Sequence, residues 1–592
     1  MTRLKLWLLL AVVVCLTGSV IGCGGAGAGS PGTPDFALSA APSSVTLKQG
    51  GSSVSSTITV NPADGFSGSV SLSVSGVPSG VTASFNPGST SSTSTLTLTA
   101  AGNAPTGAAT ITVTGVSGSL THQTTISLSV GQITHVVIIV QENRTPDNLF
   151  QGLCTFAGSP GCDPTGTNQS QYNIASKGKT STGQTVPLTP VPLVTNYDLG
   201  HSHAAFLDIC DYNSSTGQCA MDGADKDVCD PAANCPNLPE FQYVQPSDVQ
   251  PYLTMATTYA FGDQMFQTNQ GDSFPAHQYI LSGTSRVCVP EGVCPQGITT
   301  SITIADNPGN DNDQAGCLAP PGATINAVDL SQPFPQSPFS ITQLCLEHPT
   351  LTDLLENATP PISWKYYTPT AGSIWTAPDA IQHICVPEPP YPSASSQCTG
   401  SDWTNHVVLE QSGAVILTDI SSGNLAAVSW VIPTGANSDH ADNPQDNGPS
   451  WVSSIVNAIG ESQYWANTAI IVTWDDWGGW YDHVPPPTIL NSYEYGLRVP
   501  IVVISPYAKA KYISHQVNDF GSILKFIENT FALTQPIDFA NSIPFADQYA
   551  LGDLSDFFNF SQTPLPFTEI PAALKADHFL NDKSPPTPPD TD

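Results

Sequence analysis

Val136-Val137-Ile138-Ile139-Val140 runs straight into Gln141-Glu142-Asn143-Arg144-Thr145-Pro146-Asp147. An unbroken apolar run that ends in a polar cluster reads as a strand buried on both faces, as in a parallel sheet covered by helices. Two further stretches repeat the form. Ala469-Ile470-Ile471-Val472 leads into Thr473-Trp474-Asp475-Asp476-Trp477-Gly478-Gly479-Trp480-Tyr481-Asp482-His483, and Val428-Ser429-Trp430-Val431-Ile432 is followed after a short loop by Asp439-His440. Pro500-Ile501-Val502-Val503-Ile504 reads as another buried parallel strand. Helical stretches intervene, such as Gly521 to Leu533 with Ile523, Leu524, Phe526, Ile527 and Phe531 apolar. The fold class expected from Ile133 onward is α/β. In open α/β sheets ligands gather beyond the carboxyl ends of the strands, which is where these polar clusters fall.

The composition of the whole chain agrees. It has 592 residues, 40% of them hydrophobic and 11% charged, with 48 Gly and 53 Pro. A coiled coil, a helical repeat array and a charged disordered chain all need other compositions. With 15 Lys+Arg against 48 Asp+Glu the net charge is −33, and nucleic acid is excluded as a partner, because a phosphate backbone needs a basic footprint. Only Asp35 and Asp64 precede residue 130 among the acids, so the acidic excess belongs to the α/β region.

Residues 36–130 differ in character. They are rich in Ser, Thr, Val and Gly, with strict alternation in Ser69-Val70-Ser71-Leu72-Ser73-Val74, Thr95-Leu96-Thr97-Leu98-Thr99 and Thr110-Ile111-Thr112-Val113-Thr114. Short period-two strands at regular spacing predict a β-sandwich, which resembles bacterial immunoglobulin-like surface modules. It carries no acid cluster and reads as a spacer or a weak binding module.

At the N-terminus, Arg3 and Lys5 precede an apolar run from Leu6 to Leu16, too short to span a bilayer and fit for a secretory signal. Val20-Ile21-Gly22-Cys23 resembles the bacterial lipobox, which implies cleavage before Cys23 and acylation of that residue. Residues 1–22 are therefore read as a lipoprotein signal peptide, 23–35 as a flexible linker, and 581–592 as a disordered tail. The expected location is the cell envelope, lipid-anchored to the membrane through Cys23 or extracellular. Beyond Cys15 and Cys23, twelve cysteines lie between Cys154 and Cys398. An even set in an exported chain suggests disulfides, with Cys154/Cys162, Cys229/Cys235, Cys288/Cys294 and Cys385/Cys398 as near neighbours; spacing alone does not give the pairing. No Cys-x-x-Cys spacing supports a cysteine zinc site.

The polar clusters carry a definite resemblance. Glu142-Asn143-Arg144-Thr145 resembles the Glu-Asn-Arg-Ser signature of the phosphoesterase family that holds bacterial and plant phosphatidylcholine-type phospholipases C and a group of acid phosphatases. The segment from Asp475 to His483 resembles that family's Asp-Glu-His-Gly-Gly-Phe-Tyr-Asp-His signature. The resemblance implies an alkaline-phosphatase-like α/β/α sandwich over residues 131–580. It also implies a divalent metal ion, whether Ca, Mg, Mn or Zn, that arms a hydroxyl nucleophile. Glu142 and Asn143 match the first metal-binding pair. Asp475 and Asp476 match the second, with Asp where Glu is commoner, and Trp477 stands where the family often has His. Asp272-Ser273-Phe274-Pro275-Ala276-His277 resembles the nucleophile segment, so Ser273 is the expected nucleophile and a further metal ligand, although Ala276 replaces the usual Asn. Asp198-Leu199-Gly200-His201 resembles the family's Asp-x-x-His. His201, His440 and His483 are thereby expected at the catalytic centre.

The chemistry fits that assignment. Hard cations want carboxylate and carbonyl oxygens, while added histidines would suit Zn or Fe. A serine hydroxyl is a poor nucleophile until a metal or a base takes up its charge. Pro275 suits the first turn of a helix, which puts Ser273 at a helix start where backbone N–H groups favour a phosphate. His201 and His440 would then hold phosphate oxygens or protonate the leaving alcohol. Arg144 reads as a phosphate contact or a structural ion-pair partner, and His277 as lining the site or packing. Trp474, Trp477 and Trp480 read as a cage for a choline headgroup or as strand packing. The reading is hydrolysis of a phosphate monoester or a phospholipid through a phosphoseryl intermediate. The alternative is a catalytically inactive surface binding protein that keeps the fold.

Overall fold

In the computed structural model the described residues are 32–586, apart from 49–52, 102–103, 105–106, 132, 288–302, 309–315, 333, 343–344, 389–396, 411–412, 444, 488–494, 534, 538–544 and 561. The signal peptide, Cys23, most of the linker, residues 587–592 of the tail and the Cys288/Cys294 pair lie outside them.

The N-terminal region is strand-rich. Asp35–Ala41, Val54–Ala63, Thr93–Ala100 and Val81–Asn86 form one sheet, and Ser44–Lys48, Leu120–Gly131, Gly107–Ser117, Val70–Ser75 and Ser89–Thr90 form a second. The alternation seen in the sequence becomes alternate burial. Val45, Ile58, Leu96, Leu98, Ile111, Val113, Ile126 and Leu128, drawn from both sheets, make one shared core, while most Ser and Thr face outward and Ser56, Thr90 and Ser94 are buried.

The second region is built on an eight-stranded sheet of β1 (His135–Gln141), β2 (Ala260–Gly262), β3 (Trp364–Thr368), β4 (Val407–Leu409), β5 (Val428–Val431), β6 (Thr468–Trp474), β7 (Ile501–Ile504) and β8 (Tyr512–Ser514). The spatial order is β4-β3-β5-β1-β6-β7-β2-β8. β1 is central and pairs in parallel with β5 and β6, so Val136 lies opposite Ala469 and Gln141 opposite Trp474. Residues 136–140 and 469–474 are all fully buried, as a strand covered on both faces requires. The helices at 250–258, 414–422, 448–460 and 576–581 pack together as one group and those at 273–282, 351–357, 520–531 and 546–549 as another, as layers on the two faces of a sheet do. The chain is thus a mixed α/β protein with a separate strand-rich N-terminal domain.

One strand departs from expectation. β7 runs antiparallel to both β6 and β2. The chain leaves β6 at its carboxyl end, makes the loop that carries Asp475 to His483, and re-enters the sheet from that same end. Burial on both faces gives an apolar run whichever way a strand points, so hydrophobicity alone does not report direction. Among the described residues five disulfides staple the connecting segments: Cys154–Cys162, Cys210–Cys219, Cys229–Cys235, Cys317–Cys345 and Cys385–Cys398. Among the described residues no helix is long and apolar enough to cross a membrane.

Candidate active site

The site forms where β1, β6 and β5 end. The parallel register carries one residue past each strand, so the Asp475 N–H donates to the Gln141 carbonyl at 2.9 Å and Glu142-Asn143 stands beside Asp475-Asp476. Asn143 adopts a left-handed backbone (φ 62°), and its N–H donates to Asp475 Oδ1 at 3.2 Å. The turn after β6 comes very close to it. A Cβ on Gly478 (φ +61) would lie 2.4 Å from the Asn143 carbonyl oxygen, and one on Gly479 (φ +70) would lie 2.3 Å from Leu199 Cβ. Only glycine fits both the positive φ and the close approach at these two positions.

Ser273 enters from a third direction, as the first residue of helix α1 (Ser273–Ser282). Asp272 is extended before it, Gly283 in the left-handed region ends it, and the Phe274 N–H donates to Asn307 Oδ1 at 3.1 Å. Pro275 is tolerated because first-turn N–H groups have no partner within the helix. The Ser273 hydroxyl lies 3.4 Å from Glu142 Oε2 and 3.3 Å from Asp476 Oδ2. One turn later His277 places Nε2 3.2 Å from Glu142 Oε1 and 3.7 Å from Asp475 Oδ2.

Two more histidines reach the same place. His201 Nδ1 is 2.8 Å from the Leu199 carbonyl and therefore carries the proton, which leaves Nε2 to accept from Asn143 Nδ2 at 3.0 Å. The His440 ring is 5.9 Å from the His201 ring, and its Nδ1 is 3.2 Å from Asp442 Oδ1. Gln141 Oε1 accepts from the Asp439 N–H, which ties the His440 loop to β1.

Glu142, Asn143, Asp475, Asp476, Ser273, His277, His201 and His440 are all buried, while Asp442 is exposed. Burial pushes the Glu142 carboxyl up to about 8, and the neighbouring Asp476 charge adds to the rise. Burial, and then the charge of Asp475, raises Asp476 to about 7. Asp475 is held well above the usual carboxylate range by burial and by Glu142. Burial lowers His277 to about 4, so its imidazole is neutral. Three buried acids with a neutral imidazole and a hydroxyl among them form a donor set that fits a divalent cation. Donor atoms of Glu142, His277 and Asp475 lie within 4.8 Å of one another, as do those of Asp198, His201 and His440.

The structure gathers Glu142, Asn143, Ser273, Asp475, Asp476, His201 and His440, and separates His483 from them. His483 Nδ1 is 2.6 Å from Asp147 Oδ2, and Nε2 is 2.9 Å from Asn173 Oδ1, so both ring nitrogens are committed. Arg498 lies between Asp147 and Asp482, at 3.3 and 2.8 Å, and supplies positive charge to that cluster. His483 thus anchors the end of the signature instead of facing Ser273. Arg144 is also structural: it donates to the carbonyls of Asp439 and Leu193 and stacks on Trp480 at 5.1 Å. The three tryptophans build no cage. All are fully buried, Trp474 in the main core, Trp477 against Phe206, and Trp480 beside Tyr197 and Leu199. The contact the sequence left open is His277. Its spacing of four from Ser273 was the available signal, because i and i+4 share one helix face.

These features define an α/β protein with a candidate metal-and-hydroxyl centre at its strand carboxyl ends. The chain belongs to the Phosphoesterase family, which it matches over residues 133–534. It is 30% identical over 183 residues to the non-hemolytic phospholipase C of Burkholderia pseudomallei, covering 26% of this chain and 26% of that protein. It is 24% identical to the non-hemolytic phospholipase C of Pseudomonas aeruginosa over 76% of this chain and 60% of that one. For phospholipase C A of Mycobacterium tuberculosis the figures are 25% identity, 73% and 78%. The matches to the first two relatives thus span less than two thirds of their length. Among solved structures, a protein of the alkaline phosphatase superfamily from Vibrio parahaemolyticus aligns with a TM-score of 0.26, at 10% identity, over 49% of this chain and 61% of that one.

Proposed function

We propose that this protein hydrolyses phosphate esters with a divalent cation and Ser273 as nucleophile, on phospholipids or soluble phosphomonoesters. The observation that carries the reading is the Ser273 hydroxyl at a helix start, within 3.4 Å of two buried acids from two different strand ends. Family membership and relatives named phospholipase C support it.

Glu142, Asn143, Asp475, Asp476 and Ser273 would hold the cation. When bound, it supplies Lewis acidity that lowers the hydroxyl pKa and polarises a phosphoryl oxygen. Ser273 Oγ gives its proton to the Asp476 carboxylate 3.3 Å away and forms a bond to phosphorus as the ester bond to the leaving alcohol breaks. The dipole of α1, which starts at Ser273, favours the phosphoryl charge. In its imidazolium form His201, still aligned by the Leu199 carbonyl, donates its Nε2–H to a phosphoryl oxygen, as does the Asn143 amide. His440, steadied by Asp442, gives a proton to the departing alcohol oxygen. Water then attacks the phosphoserine, which releases phosphate or a phosphorylated headgroup and restores the hydroxyl. Export, an acyl anchor on Cys23 and a spacer role for the β-sandwich complete the reading. The disulfides agree with an oxidising compartment.

The test compares p-nitrophenyl phosphate with phosphatidylcholine, with and without chelator, for wild type and Ser273→Ala. Wild type turns over at least one substrate and loses that activity with chelator. Ser273→Ala falls by at least about 10³-fold. Wild-type rates in Ser273→Ala refute the nucleophile, and the preferred substrate fixes the subclass.

A further inference from the structure

We infer that His277 is a nitrogen ligand of the cation, so that the centre selects a transition metal over calcium or magnesium. The inference rests on the reading of Glu142 and Asp475 as ligands given above. Helix α1 turns Ser273 and His277 to the same side, and the two residues meet the two oxygens of one carboxylate, Oε2 and Oε1 of Glu142. His277 Nε2 also faces Asp475 Oδ2 at 3.7 Å, beyond hydrogen-bond reach. Donor atoms of the three residues lie within 4.8 Å of one another, and separations of 3.2 and 3.7 Å are what donors roughly 2.1 Å from one ion subtend.

The choice of metal follows from donor chemistry. Calcium and magnesium take oxygen, and one imidazole among carboxylates moves preference toward manganese, iron, cobalt or zinc. Here a histidine stands on the nucleophile's own helix, so the residue that selects the metal and the residue that attacks are held by the same turn.

The experiment uses the full chain, stripped with chelator and titrated separately with Ca²⁺, Mn²⁺ and Co²⁺ by calorimetry, with the visible spectrum of the Co²⁺ form recorded alongside. The variants are His277→Gln, which keeps a hydrogen-bond donor toward Glu142 but removes the ring nitrogen, and Glu142→Gln. Wild type is expected to bind Co²⁺ at least about tenfold more tightly than Ca²⁺. His277→Gln is expected to lose at least about tenfold in Co²⁺ affinity, to change the Co²⁺ spectrum, and to keep Ca²⁺ affinity within about twofold. An unchanged spectrum and an unchanged Co²⁺-to-Ca²⁺ ratio in His277→Gln overturn the inference, since the residue then only orients Glu142. An equal loss for both ions overturns it for the same reason. If Glu142→Gln binds every ion as wild type does, the cation lies elsewhere and the reading of the centre falls too. If Glu142→Gln loses all ions while His277→Gln loses none, only the nitrogen ligand is wrong. Circular dichroism checks folding, and His277→Asn, neutral and also able to donate toward Glu142, carries the same comparison should His277→Gln fail to fold.

Discussion

The backbone N–H of Asn143 donates to the carboxylate of Asp475 across 3.2 Å, joining residues 332 positions apart in the chain. That bond locks the first acidic pair to the second, and its geometry depends on the glycine turn that presses against Asn143.

Gly478→Ala tests that dependence. A methyl group there has 2.4 Å to the Asn143 carbonyl oxygen on a backbone at φ +61, so either the turn or Asn143 must move. The expected result is a loss of about 1–3 kcal/mol in stability and a fall in kcat of at least about tenfold. Thermal melts and steady-state kinetics on a phosphomonoester measure both, and a wild-type kcat contradicts the role given to the turn.

Arg144→Met separates a structural arginine from a substrate contact. The variant strips the carbonyls of Asp439 and Leu193 of their buried donors and removes the charge beside Asp439. It should cost about 3–5 kcal/mol, read as a lower denaturation midpoint. A raised KM with unchanged stability would instead place Arg144 on the phosphate.

His483→Ala leaves Asp147 without its 2.6 Å partner in a buried cluster. A loss of about 1–3 kcal/mol follows, while the shape of the pH–rate profile stays that of wild type. Disappearance of one limb of that profile would return His483 to the chemistry.

Glu528 gives a pH signature away from the site. Burial pushes its carboxyl from 4.5 to about 8, against the pull of Lys525, and Asp547 shares its hydrogen bond. Asp547 is raised as well, first by burial. A native state that holds a proton more tightly than the unfolded chain loses stability as pH rises. Wild type should therefore weaken between pH 4.5 and about 8. Glu528→Gln should show a flatter profile over that window, measured by denaturant midpoints at its two ends. Identical slopes for the two proteins contradict the assignment.

Much of the centre was legible in the sequence because two strong signals coincide. Val136 to Val140 and Ala469 to Val472 announce buried strands, and the acids directly after them mark the rim where such sheets bind ligands. Ser273 was legible through the resemblance of residues 272–277 to a nucleophile segment, and Pro275 added only that a helix starts there. What was not legible depends on tertiary context. The direction of β7 is set by the return path of a loop, and a run buried on both faces looks the same either way. His483 and Arg144 carry chemically active groups, yet Asp147 and the Asp439 carbonyl claim them, and neither partner is near in sequence. Trp474, Trp477 and Trp480 sit three residues apart in one short stretch but pack into three different clusters, Trp474 within the sheet and the other two on either side of the Gly478-Gly479 turn.

The five cross-links among the described residues close spans of only 6 to 28 residues, and none joins two strands of the eight-stranded sheet. The register of β1 on β6 thus brings Glu142 to Asp475 with no covalent link between the two strands. A reducing medium would cut every one of these cross-links and leave that meeting of acids untouched.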